Sequence, residues 1–240
     1  MTSIDNDQKF KDFSEHIGVN FKNFDILKTV FVHRSYLNEH PSFKLDQNER
    51  LEFLGDAVLE LVVTQYLYEN FPNPEGELTN WRAALVKGES LSKISSDLGI
   101  NDLLFMSKGE SKSTGRARDL ILANAFEALI GATYIDSGLL VAEQFIIKYV
   151  ICKLDDILEN KLYLDSKSRL QEWSQAKYGI TPEYKVISET GPDHNKHFDI
   201  DVYIGDEKIG TGSGRSKQNA QQEAAYHALE NYIKLLEDQS

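Results

Sequence analysis

Over residues 48–70 the apolar positions recur at helical spacing, with Leu51, Leu54, Val58, Leu61, Val62 and Tyr66 on repeating turns. The run predicts one long helix. It ends at Phe71-Pro72-Asn73-Pro74, where proline removes a backbone donor and opposes continuation. Residues 77–98 read as a second helical region ending at Gly99, with Thr79 or Asn80 as a cap inside it. A loop rich in small and charged residues occupies 107–116. Residues 117–136 read as a buried helix stopped at Ser137-Gly138, and 139–159 as another helix. Together these predict an all-α N-terminal domain, residues 1–159.

The period changes in the last third. Residues 168–178 form a short helical pattern stopped by Gly179. Residues 183–189 and 197–204 alternate apolar and polar at period two, as half-buried strands do. Gly205-Asp206 is a turn signal, and 207–212 a third short strand. Residues 216–235 return to helix, with Ala220, Ala224, Ala225, Ala228 and Leu229 on the inner face. The order α-β-β-β-α predicts a small α+β domain at 166–238, joined by a polar linker near 160–166.

Composition narrows the function classes. A hydrophobic content of 41% supports packed cores and argues against disorder. No run approaches the roughly 20 apolar residues of a membrane helix, and the polar, acidic start does not read as a signal peptide. The expectation is a cytoplasmic protein with no membrane partner. The single cysteine, Cys152, excludes an intrachain disulfide and a multi-cysteine zinc site. The net charge of −12 argues at first sight against nucleic acid. Residues 165–240 alone hold 9 Lys and Arg against 13 Asp and Glu, so neither part of the chain is basic in bulk. Nucleic-acid binding would have to rest on local placement of cations, or on metal ions that screen an acidic site.

Candidate chemistry sits in two of the helices. Glu49, Glu52 and Asp56 fall at i, i+3 and i+7, within roughly 60° of one another around a helix. Such like charges repel, and a hard cation such as Mg²⁺, which takes oxygen ligands, would relieve them. On spacing alone a solvated outer face is the simpler reading, and Glu60, which extends the same stripe, favours it. Asn124 and Glu127 are polar positions, three apart, in an otherwise apolar helix. Burying them unpaired is costly. They either hydrogen-bond within the core or converge with the first stripe on one site, as metal centres of helical bundles do.

The segment Asn48-Glu49-Arg50-Leu51-Glu52-Phe53-Leu54-Gly55-Asp56-Ala57-Val58-Leu59 resembles the signature of the ribonuclease III family. His33-Arg34-Ser35-Tyr36, Glu75-Gly76-Glu77-Leu78-Thr79 and the helix around 123–132 resemble further family segments, in the family's order. The C-terminal segment resembles a double-stranded-RNA-binding domain, carried by Leu170-Gln171-Glu172-Trp173 and by Gly212-Ser213-Gly214-Arg215-Ser216-Lys217.

The resemblance implies a homodimeric, metal-dependent endoribonuclease that cuts double-stranded RNA. Its products would carry 5′-phosphate and 3′-hydroxyl ends with a short 3′ overhang. It implies catalytic roles for Glu49, Glu52, Asp56 and Glu127, and ligation of Mg²⁺, or Mn²⁺ in its place, by Glu52, Asp56, Asn124 and Glu127. Two ions would activate water and stabilise the leaving oxygen. Glu49 and Glu75 would orient water or substrate, and Phe53 would lie in the dimer interface. Many relatives carry Asp where this chain has Asn124, which implies somewhat weaker metal affinity here. For the C-terminal domain the resemblance implies RNA contacts from Gln171, Glu172, His194, Lys196, Arg215, Ser216 and Lys217. They would act on shape, 2′-hydroxyls and phosphates rather than bases. Ser216 has the simpler role of helix cap open to it, and Lys196 that of ordinary surface. Two other function classes compete: a non-catalytic double-stranded-RNA-binding protein, favoured by Asn124 alone, and a helical interaction protein, which leaves the C-terminal domain unexplained.

Overall fold

The computed structural model describes residues 3–159, 163, 166–192 and 196–233. It divides into two compact units, Met1–Tyr163 and Leu164–Ser240. The first is helical and the second is a three-stranded sheet with helices, so the chain is an all-α domain followed by an α-β-β-β-α domain.

The first unit runs α1 (Ser3–Ile17), α2 (Phe24–Val30), α3 (Arg34–Glu39), α4 (Glu49–Asn70), α5 (Glu75–Val86), α6 (Gly88–Asp97), α7 (Arg116–Ser137), α8 (Leu139–Tyr149) and α9 (Leu154–Glu159). The polar N-terminal stretch contributes α1. Its Phe10, Phe13 and Ile17 are buried, and the two rings pack on Phe31 at 5.4 and 5.3 Å between centroids. The helical region expected over 77–98 is two helices, not one. The chain is extended at Lys87 (φ −60°, ψ 140°), which turns α6 away from α5. Thr79 is not a cap. It lies inside α5, which begins after Pro74, and its hydroxyl donates to Glu75 Oε1 at 3.0 Å. The helix expected over 139–159 is also interrupted, by a short 3-10 turn at Ile151–Lys153.

The core of this unit is the crossing of α4 with α7. Gly55 and Gly131 face each other there. A methyl group on Gly55 would land on the carbonyl oxygen of Glu127, and one on Gly131 on that of Leu51. The two backbones are therefore closer than side chains allow. Leu59, Phe126, Leu129 and Ile130 fill the space beside the contact and are fully buried.

In the second unit α10 (Ser166–Tyr178) precedes β1 (Glu183–Thr190), β2 (His197–Ile204), β3 (Glu207–Gly214) and α11 (Lys217–His227). The sheet is antiparallel in the order β1-β2-β3. Phe198, Ile200, Val202 and Ile204 point to the core, while Asp199 and Asp201 point away from it, where Ser213 and Thr211 donate to them. Gly210, Gly212 and Gly214 present bare backbone to Ala220, Ala224 and Ala228, so α11 lies flush on β3. A π-helical turn, Ala228–Ile233, continues α11.

Alanine is the better helix former by about 1 kcal/mol, so Gly131→Ala would stabilise a helix in isolation. Here the α4–α7 contact decides the sign. The expected outcome in thermal unfolding is a loss of about 2 kcal/mol or more from overpacking. Gly76→Ala, where a methyl meets nothing within 4 Å, should be neutral or mildly stabilising.

Candidate functional site

The close approach of Gly55 and Gly131 determines what lies around it. Glu52 and Asp56 flank Gly55 on α4, while Asn124 and Glu127 occupy the facing turns of α7. The two polar pairs noted in the sequence therefore meet. Glu52 is half-buried, and burial together with the charges of Glu49 and Asp56 raises its pKa. The Asn124 amide lies against the Glu52 carboxylate and acts the other way, favouring its charged form. Glu127 is the more perturbed group. Burial, then the negative charges of Asp56 and Glu52, push its pKa up to about 7. Among the described residues, no three His, Cys, Asp or Glu side chains close into a ready-made chelating cluster. The donor set is all oxygen, as hard divalent cations prefer, and Mg²⁺ commonly binds through one or two carboxylates while keeping waters.

Glu52 and Asn124 open onto a cavity of about 560 Å³. Glu49, at the first turn of α4, lies on its rim and is exposed. It pairs with Arg34 at 3.7 Å and accepts from Gln47 at 3.1 Å. An ion pair this exposed contributes little to stability. Asn48 is buried beneath. Its side-chain amide donates to the carbonyl of Val30 at 3.0 Å and its backbone N–H to that of Val32 at 2.9 Å, which ties the start of α4 to the end of α2. His33 and Glu110 complete the wall. Sequence reasoning gave these last two residues no role.

Glu75 does not join this group. It sits at the start of α5 on a separate cavity of about 450 Å³ with Tyr68, Thr79 and Arg82. Glu60, which extended the acidic stripe, is held by Arg82 at 3.0 Å. Phe53 is 81% exposed on α4. With Ala57 and the 55% exposed Leu61 it forms an apolar row at i, i+4 and i+8, beside a groove lined by Ile26, Leu51, Leu54 and Ile135.

In the second unit Gln171 and Glu172 are exposed on α10. Ser216 caps α11, its hydroxyl oxygen accepting from the Asn219 N–H at 3.1 Å. Lys217 opens that helix with its ammonium 5.7 Å from the centre of the Phe198 ring, and Arg215 is exposed just before it. Lys196 donates to Glu189 at 2.6 Å, and both Lys196 and Lys217 lower the Glu189 pKa, so the three charges are neighbours. His194 lies outside the described residues.

The raised Glu127 pKa has a definite sign in stability. A carboxyl group harder to ionise in the folded state than in the unfolded chain stabilises the fold at low pH, and that contribution is lost as pH rises from about 4.5 through about 7. Without divalent ions, the wild-type chain should lose ~1–2 kcal/mol relative to Glu127→Gln across this window, after discounting for partial exposure. Thermal melts of both proteins at pH 5 and pH 8 measure the difference. Parallel pH dependence would contradict it.

A family model described as Ribonuclease-III-like matches residues 23–154, and one for the double-stranded RNA binding motif matches residues 166–232. The chain is 45% identical over 216 residues to the protein named ribonuclease 3 of Streptococcus pneumoniae, covering 90% of this chain and 93% of that one. It is also 45% identical over 223 residues to the protein of the same name from Bacillus velezensis, covering 92% and 89%. Among solved structures, the nuclease domain of ribonuclease III from Campylobacter jejuni matches with a TM-score of 0.53 at 34% identity, over 64% of this chain and 97% of that one. A second structure of that domain, described by flexibility in a region involved in dimer formation, matches at 0.52 and 37% identity, over 57% and 93%. With a helical nuclease domain and a double-stranded-RNA-binding domain in this order, the chain belongs to the ribonuclease III family of endoribonucleases.

Proposed function

We propose that this chain is a metal-dependent homodimer that hydrolyses double-stranded RNA at the α4–α7 site. The observation that carries the reading is the perturbed Glu127, set against Glu52, Asp56 and Asn124 by a glycine contact that leaves no room for side chains. Glu52, Asp56, Asn124 and Glu127 would hold divalent metal, Mg²⁺ or Mn²⁺. When bound, such ions supply water activation and charge stabilisation at the scissile phosphate. Water adds to phosphorus, the bond to the 3′ oxygen breaks, and that oxygen takes a proton. The products carry 5′-phosphate and 3′-hydroxyl ends. Glu49, on the cavity rim, orients water or substrate, and Glu75, on its separate cavity, orients substrate away from the four donors.

The exposed Phe53 row and its neighbouring groove suit a twofold contact, in which one patch meets its own copy. Gln171, Glu172, His194, Lys196, Arg215, Ser216 and Lys217 serve the duplex. Lys217 has the further advantage of a helix N-terminus, whose amides and dipole favour phosphate. Gln218 and Gln221 carry no charge, so few phosphates are neutralised and salt dependence should be shallow. Affinity then comes mainly from two domains of a dimer on one duplex. The substrates we infer are ribosomal precursors and structured messages, met in the cytoplasm.

The neutral Asn124 also suits a second reading, a double-stranded-RNA-binding protein without cleavage. Incubation of a long RNA duplex with and without Mg²⁺, beside Glu127→Ala, separates the two. Metal-dependent cutting to short duplexes, absent in the variant, is the expected result. Binding with no cutting in either Mg²⁺ or Mn²⁺ would support the second reading.

Restoring a carboxylate by Asn124→Asp should lower the Mg²⁺ concentration at half-maximal activity severalfold, since the ion then meets one more charge. It should also reduce stability without metal, because a carboxylate replaces the amide beside Glu52. An unchanged Mg²⁺ midpoint would count against Asn124 as a ligand.

A further inference from the structure

His33 occupies the turn before α3 and lines the 560 Å³ cavity together with Glu52 and Asn124. Its Nδ1 is fully engaged on the protein side. The backbone N–H of Ser35 reaches it at 3.3 Å, and the Ser35 hydroxyl lies 2.7 Å away. A backbone N–H can only donate, so Nδ1 is an acceptor. The Ser35 oxygen already accepts the N–H of Ser107 at 3.1 Å, which leaves its own proton for Nδ1. Both bonds select one tautomer, with the ring proton on Nε2. Burial lowers the His33 pKa and favours the neutral ring, against the opposing pull of the Glu110 and Glu49 charges.

Nε2–H finds no partner among the described residues. His33 is half-buried on the cavity wall, where a donor left free by the protein is suited to a ligand oxygen. The neighbouring Arg34 guanidinium is largely exposed, only loosely paired with Glu49 at 3.7 Å, and also lines the cavity. These two side chains give an otherwise acidic wall a short donor-bearing strip. Asn38 and Asn48 add polar surface without charge.

We propose that His33 is a substrate-positioning residue whose Nε2–H donates to a phosphate oxygen of the RNA backbone entering this cavity. Ser35 sets the tautomer, and Ser107 sets Ser35. The inference rests on the nuclease reading of the α4–α7 site, and adds to it a contact made by protein to RNA rather than by metal.

Two replacements separate a donor from a helix cap. In His33→Asn the side-chain oxygen can still accept the Ser35 N–H, and asparagine is a good capping residue, but nothing reaches the Nε2 position. In His33→Gln the amide can reach that position while the cap is lost. The measurements are melting temperature, cleavage of a long RNA duplex at saturating Mg²⁺, and duplex binding in a Glu127→Ala background where no cutting intervenes. His33→Asn should melt like the wild type yet lose roughly five- to twentyfold in kcat/KM, as one hydrogen bond is worth, with a matching loss of duplex affinity. His33→Gln should keep most of both, and His33→Ala should keep neither. Full activity and affinity in His33→Asn, or His33→Gln as poor as His33→Ala, would overturn the proposal and leave His33 a cap. A wild-type chain that failed to cut would defeat the nuclease reading instead, and the binding series would still decide the role of His33.

Discussion

Two helix backbones that touch without side chains between them organise the first domain. Gly55 on α4 and Gly131 on α7 remove the methyl groups that would hold these helices apart. The benefit is geometric. Glu52 and Glu127, each about one turn from a glycine, are brought near each other and partly dried, and partly dried carboxylates are hard to ionise. Glu127 carries most of that burden, with Asp56 and Glu52 adding to it. Asn124 offsets some of it, because an amide beside Glu52 stabilises a charge that a carboxylate in its place would oppose. An amide at position 124 therefore suits the electrostatics of the site when no cation is bound.

The helices that build this site were legible because their periodicity agrees with their packing. Leu51, Val58 and Val62 are buried in α4, where their spacing placed them. The stops were less legible. The break at Lys87 was signalled by Gly88, but apolar residues on both sides masked it. The interruption near Val150 carries no glycine or proline, and tertiary packing of Ile146, Ile151 and Leu154 against the core decides it. The N-terminal helix was hidden by its polar composition, although Phe10, Phe13 and Ile17 already stood at helical spacing. Spacing alone left the acidic stripe divided between a solvated face and a site. Resemblance to the family tipped that balance, and burial of Glu52 and Glu127 gives it a physical reason. Gly55 and Gly131 went unread in the sequence, although glycine inside a helix costs stability unless backbones approach there.

The acidic bulk charge posed the sharpest conflict with RNA binding, and local arrangement is what eases it. In the second domain Arg215 and Lys217 flank the capped start of α11, while Lys196 and Lys217 share Glu189 as a neighbour. Gln221, uncharged, accepts from Lys167 at 2.7 Å and links α10 to α11. That position serves packing in this chain, which leaves the cationic surface small. In the first domain Glu52 and Glu127 gather at the α4–α7 crossing, and Phe53 stands exposed on α4.

The glycine contact buries Glu127 beside Asp56 and Glu52 and so makes it reluctant to ionise. Carbon-13 NMR of the side-chain carboxyl groups, titrated in the absence of divalent ions, measures this directly, with Glu127 assigned by comparison with Glu127→Gln. One carboxyl signal, missing from the variant, should titrate near pH 7. A Glu127 carboxyl that titrated near the ordinary glutamate value of 4.5 would contradict it.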